Sequence, residues 1–289
     1  MIYLILSIFF NAILFVIVKL FAKYKIEALQ ALVVNYFVAF LVGVSFLPNS
    51  YHSIKFNEFS NESWFIGSVL LGLIFIGTFY VTALTSQQNG LSVASVASKM
   101  SVIIPIICGI VLYNEILNFI KIAGIILALI AVYFSSKKEI GEIQKKKDLI
   151  FPALVFIGAG TIDSSLKFLQ TYHVSSEKVT LFSCITFLCA FIVGIILITI
   201  QFLRKKIKLE ARNIIAGIIL GLPNYFSLYY LVKMLEAKAF QSATLFTIHN
   251  ISIVIITTLV GLLFFKEQFS KRNAFGITLA IVAIVLVTI

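Results

Sequence analysis

Six side chains able to carry charge lie where the surrounding sequence is almost wholly apolar: Lys19, Lys99, Lys167, Lys233, Asp163 and His249. An ionisable group at mid-bilayer costs roughly 2.5–3.5 kcal/mol on insertion scales, so each one calls for a partner, a watery hollow or a bound molecule. Lys99 stands among Ser92, Ser95, Ser98 and Ser101, and the spacing of Ser92, Ser95 and Lys99 puts those three on one stripe of a helix. That stripe is expected to face a cavity, with Lys99 roughly 12 Å deep by helical rise. Asp163 and Lys167 are four residues apart with the acid first, the favourable order for a helical pair. The two either neutralise each other or exchange partners with Lys99 or with a bound molecule. Lys19 and Lys233 lie close enough to helix ends to snorkel to the interface.

Uncharged polar groups extend the set. His249 and Asn250 are adjacent inside one apolar stretch, Pro223-Asn224 interrupts another, and Asn35 lies in a third. A helix broken at Pro223 would offer backbone carbonyls to a cavity. Tyr80, Tyr225, Tyr229 and Tyr230 supply aromatic walls with polar tips, equally suited to binding and to helix packing. The candidate binding residues are therefore Lys99, Asp163, Lys167, His249, Asn250, Tyr80, Asn224, Tyr229, Asn35 and Lys19. Cations outnumber anions among them, which favours an anionic or zwitterionic small molecule. No catalytic residue is expected. A G-x-S-G nucleophile, a second intramembrane aspartate, the H-E-x-x-H metal pattern and the phosphate-cradling G-x-x-x-x-G-K-[ST] loop are all missing. Cys108, Cys184 and Cys189 show no C-x-x-C spacing and read as apolar filler, so neither metal nor cofactor is implied.

These residues must be positioned by membrane helices. The chain is 61% hydrophobic and 12% charged, whereas a soluble domain has roughly a quarter of its residues charged. Ten apolar stretches approach the length of ~20 residues that spans a hydrocarbon core: 2–22, 28–47, 63–86, 91–113, 119–136, 149–170, 179–201, 212–235, 240–264 and 272–289. They lack the strict alternation of barrel strands, so an all-α polytopic bundle of ten transmembrane helices is predicted.

A formal net charge of +11 would suggest nucleic acid in a soluble protein. Here the charge is segregated instead. The connections after the first, third, fifth, seventh and ninth stretches carry fifteen Lys and Arg, and the opposite connections carry four. By the positive-inside rule the basic loops are cytoplasmic, in the cell (inner) membrane, which puts both termini outside.

The region 103–131 recurs at 255–283 with nine identical residues, among them Gly109 with Gly261, Glu115 with Glu267 and Gly124 with Gly276. Lys19 answers to Lys167 in a fainter upstream echo. The chain therefore divides into a five-helix repeat over 1–136, a charged linker over 137–148 and a second five-helix repeat over 149–289. Five is odd, so the second repeat enters the membrane inverted, and inverted repeats are typical of carriers with a midplane site. Glu115 and Glu267 then fall in turns at opposite membrane faces and cannot share a site. Glu267 is expected to pair with Lys271 and order its own turn.

The segments from Pro105-Ile106 through Tyr113-Asn114-Glu115 to Gly124, and from Phe265-Lys266-Glu267 to Gly276, together with 80–84 (YVTAL), resemble the drug/metabolite transporter superfamily and its ten-helix EamA branch. The resemblance implies a central cavity between two halves, alternating access, and export or exchange of a small metabolite. The chain departs from the family pattern in two ways. Its termini are on the opposite side from the family's usual cytosolic placement, and Pro105 is matched by Thr257 rather than by proline.

The expected function is a secondary transporter of a small anionic or zwitterionic metabolite, driven by an ion gradient (proton or sodium) or by the substrate's own gradient. A non-transporting membrane receptor or scaffold is the alternative. A lipid bilayer is the expected environment, no nucleic-acid partner is expected, and a monomer suffices because two fused halves enclose one cavity.

Overall fold

The computed structural model describes residues 2–47, 60–105, 107–108, 119–136, 147–204, 209–236, 242–267 and 271–288. Within them lie ten α-helices and no strand. They are α1 (Ile2–Lys23), α2 (Ala28–Ser45), α3 (Phe65–Gln88), α4 (Leu91–Met100), α5 (Phe119–Ser136), α6 (Lys147–Tyr172), α7 (Val179–Leu203), α8 (Ala211–Glu236), α9 (Ser242–Leu263) and α10 (Lys271–Thr288). Six helices, α1 to α3 and α6 to α8, are long and apolar enough to cross a bilayer. The apolar parts of the other four are shorter: Leu91–Pro105, Ile122–Ala131, Ile248–Leu263 and Ala274–Leu286. The chain is an all-helical polytopic membrane protein.

The outer surface carries the membrane signature. On α8 the exposed residues include Ile214, Ile215, Ile218, Ile219 and Leu222, a continuous aliphatic stripe. Soluble monomers do not leave such a stripe in water, and acyl chains cover it without cost. The opposite face of α8 is close-packed: a Cβ on Gly217 would lie 2.5 Å from the Ala31 carbonyl oxygen of α2. The α3–α7 seam is equally tight, since a Cβ on Gly72 would lie 2.7 Å from the Ala190 backbone nitrogen. Small residues let helix backbones approach where lipid gives no hydrophobic drive to association.

The expected span over 91–113 differs. α4 ends at Met100, turns at Ser101-Val102, and becomes helical again at residues 103–105. Pro105 has no N–H, and its ring collides with the carbonyl four residues earlier, that of Ser101. The Ser101 carbonyl instead accepts from Ile104 N at 2.9 Å, a tighter turn. Pro223 behaves otherwise: α8 runs unbroken from Ala211 to Glu236, so the expected interruption at Pro223-Asn224 does not occur.

The closest helix packings are α5 on α10, α2 on α8, α1 on α8, α2 on α7, α3 on α7, α3 on α6, α4 on α6, α1 on α9 and α4 on α9. Exchanging α1 to α5 with α6 to α10 in order returns the same nine pairs. Among the described residues the halves differ at α3 and α8: α1 and α2 both pack on α3, whereas α6 and α7 make no comparable contact with α8.

Candidate functional site

α4 is the innermost helix, buried on every side from Leu91 to Ala97. Lys99, near its end, is partly exposed and holds its amine over the Phe15 ring of α1 at 5.9 Å from the centroid. A cation over an aromatic face gains electrostatic attraction but no hydrogen bond. Among the described residues Lys99 makes no ion pair, and Asp163 of α6 is the acid whose charge acts on it.

Asp163 is exposed, and its position on α6 shows where. Of the exposed apolar residues of that helix, Ile150, Leu154, Ile157, Phe168 and Tyr172 share one face toward lipid. At 3.6 residues per turn Asp163 points about 140° away from Phe168 and about 120° away from Ile157. Its exposure is therefore on the side of α6 turned away from that apolar stripe. A separate cavity of roughly 400 Å³ lies between α3 and α6, lined by Gly67, Leu70, Ile74, Pro105, Ser164 and Phe168. It adjoins the lipid face of α6 and has no charged lining residue, so it is not the site of the charges.

The other expected residues divide by partner. His249 is buried, with Nε2 3.0 Å from the Ser7 hydroxyl and Nδ1 3.5 Å from the Asn250 side-chain oxygen. It bridges α9 to α1, and Asn250 is buried with it. Asn224 donates to the Asn35 side-chain oxygen at 3.2 Å, so those two join α8 to α2, both fully enclosed. Tyr229 stacks with Tyr225 and packs against Phe46, part of an aromatic cluster that also takes in Phe10, Phe226 and Tyr230. Tyr80 is half-buried on α3. Lys167 lies one turn beyond Asp163, and its side chain is outside the described residues, as is Glu115.

Two expectations are corrected. Ser92 and Ser95 do not share the Lys99 cavity. Both are buried; Thr257 of α9 donates to the Ser95 hydroxyl at 2.7 Å, and Ser92 faces Glu267. With α4 buried all round, a stripe one residue wide can serve two neighbours.

The second correction concerns Lys19 and Glu267. Glu267 precedes the first turn of α10, so no helical spacing connects it with Lys271. Its carboxylate turns inward to the Lys19 ammonium at 2.8 Å and accepts from Leu91 N at 2.6 Å. Lys19 also donates to the Ser86 carbonyl at 2.9 Å and does not snorkel. The sequence held one signal for this junction, the Gly-to-Glu spacing repeated at Gly109–Glu115 and Gly261–Glu267. It did not say what the glutamate touches. A second clamp lies nearby: Asn213 at the start of α8 accepts from Glu27 N at 3.0 Å and donates to the Gln30 side-chain oxygen at 2.9 Å.

Residues 1–137 match the model of the EamA-like transporter family. An uncharacterized protein of Haemophilus influenzae is 25% identical over 283 residues, covering 93% of this chain and 91% of that protein. A crystal structure superposes with a TM-score of 0.60 at 12% identity, over 99% of this chain and 94% of that one, a likeness of fold alone.

Proposed function

We propose that the whole chain is a secondary transporter of a small anionic or zwitterionic metabolite, working by alternating access as an exporter or exchanger, a reading supported by the match of residues 1–137 to the EamA-like transporter family. The observation that carries this reading is the pair Lys99 and Asp163. Both are ionisable groups carried by otherwise apolar helices, and neither is held in an ion pair among the described residues. Ion pairs that serve only structure close up, because unpaired charge in a low-dielectric interior is costly. An acid and a base left apart suit a hollow whose occupant completes the pairing.

The packing supports two related halves, 1–136 and 149–289. The nine closest helix pairs return to themselves when the halves are exchanged, the pattern expected of repeats related by a two-fold axis. On this reading the second half is inverted, the basic loops face the cytoplasm of the inner membrane, and one monomer encloses one site. A proton, a sodium ion or the substrate's own gradient supplies the energy.

The test is counterflow in proteoliposomes loaded with labelled amino acids, organic acids or phosphorylated sugars. Wild-type protein should exchange at least one class, and Lys99→Ala should lower that exchange about tenfold or more. Exchange of none of them, or full activity in Lys99→Ala, would overturn the assignment.

A further inference from the structure

We propose that the Glu267 carboxylate is the latch that seals one end of the interior hollow, and that it must let go of Lys19 for the hollow to open on that side. The inference rests on the alternating-access reading above and adds to it the residue that holds the closed end.

The sealed end is identified by what Glu267 gathers. One side chain, from the turn between α9 and α10, receives the Lys19 ammonium near the end of α1 and the Leu91 N–H at the start of α4. Through Lys19 it also reaches the Ser86 carbonyl near the end of α3. The Ser92 hydroxyl adds a longer contact at 3.5 Å. Four chain segments from both halves are therefore tied together, three of them meeting at one carboxylate and the fourth joined through Lys19. A negative charge there is also favoured by the dipole of α4, whose first turn it caps.

The site is built to admit that carboxylate. A Cβ on Gly261 of α9 would lie 2.7 Å from Glu267 Oε2, and one on Gly90 would lie 3.1 Å from the same atom. Gly90 has φ +109°, a conformation that side chains rarely adopt. Bulk at either position would push the carboxylate out of its seat.

The packing shows why this is a latch and not a permanent rivet. Around it α1 lies against α3 and α4, while in the other half α6 makes no comparable contact with α8 among the described residues. Asp163, on α6, is exposed on the side away from that helix's apolar stripe. The bundle is thus shut where Glu267 sits and slack where α6 and α8 part. Opening the shut end requires α1 to leave α3 and α4, and Lys19 joins those helices through Glu267 and Ser86. The Lys19 and Glu267 side chains are 16% and 14% exposed, so each has water at hand to solvate it on separation.

The experiment uses a single reporter, Asp163→Cys, in full-length protein with Cys108, Cys184 and Cys189 changed to serine. An impermeant thiol reagent is applied from each side of the membrane. With Glu267 intact, labelling should be slow from the side bearing Lys23, Lys25 and Lys266 and fast from the other. Glu267→Gln removes the charge, and Gly261→Ala displaces the carboxylate without altering its charge. Each should raise labelling from the basic side at least tenfold, with Lys19→Ala doing the same if either variant fails to fold. Equal basic-side rates in all folded variants would overturn the latch. Counterflow by the unmodified protein is measured in parallel: its absence counts against the transporter reading, whereas unchanged labelling beside active counterflow counts against the latch alone.

Discussion

Lys19 Nζ lies 2.8 Å from Glu267 Oε1, joining the first helix to the last helix-to-helix turn. Lys99 and Asp163 make no such closure, although each is the other's electrostatic neighbour. The protein thus holds two kinds of intramembrane charge. One is hydrogen-bonded, partly wet and placed at an end of the bundle. The other is separated and deep, and that contrast directs the variants below.

Removing a charge that is not bonded should cost function and little stability. Lys99→Ala and Asp163→Asn are each expected to keep the thermal midpoint in detergent within a few degrees of wild type, a change of about 1 kcal/mol or less. Both should lose most counterflow. A large fall in midpoint for either would show that the pair holds the fold and does not wait for a ligand.

The Thr257–Ser95 hydrogen bond links α9 to α4 at 2.7 Å, buried on both sides. Interhelical bonds of this kind in membranes average about 0.6 kcal/mol and reach about 1.7. Thr257→Val and Ser95→Ala should each lower stability within that range in a denaturation series. The double variant should lose no more than the larger single loss, since the same bond is broken once.

Close approach of backbones predicts a larger effect. A side chain on Gly217 would meet the Ala31 carbonyl oxygen at 2.5 Å, a contact only a shift of α2 against α8 relieves. Gly217→Val should therefore cost about 1–3 kcal/mol, the usual range for overpacking. Thermal unfolding would read this directly, with Gly77→Ala, where nothing lies within 4 Å, as the neutral control.

Lys25 and Lys266 both adopt positive φ, 52° and 50°, at the turns that end α1 and α9. The Ile26 N–H reaches the Phe21 carbonyl at 2.9 Å, the six-to-one bond of a helix stop with a left-handed residue. Glycine takes that conformation without the Cβ penalty. Lys25→Gly should raise stability by about 1 kcal/mol, measured as a higher unfolding midpoint.

Membrane orientation follows from charge. The turn holding Lys23 and Lys25 and the turn holding Lys266 lie at one end of the bundle, brought together by the Lys19–Glu267 pair. A cysteine placed at Tyr24 should be labelled by an impermeant reagent only when the cytoplasmic side is accessible. Labelling in intact cells would reverse the orientation.

The sequence by itself determined the helices. Expected stretches at 2–22, 28–47 and 179–201 correspond to Ile2–Lys23, Ala28–Ser45 and Val179–Leu203, because an apolar run of membrane length needs no knowledge of its neighbours to be read. It also singled out Lys99 and Asp163, since charge inside such a run is conspicuous wherever the helix ends up. It did not find the break in α4, although Pro105 marked the place, and it misplaced Glu267, whose partners are far away along the chain. It set Ser92 and Ser95 beside Lys99, when the buried helix turns them toward α9 and Glu267. Only the tertiary structure decided that Lys19 pairs with Glu267, that His249 meets Ser7 and that Asn224 meets Asn35. Those contacts depend on how each helix is rotated and how closely two backbones approach. Such quantities are set by the packing of the whole bundle, and no local pattern of residues encodes them.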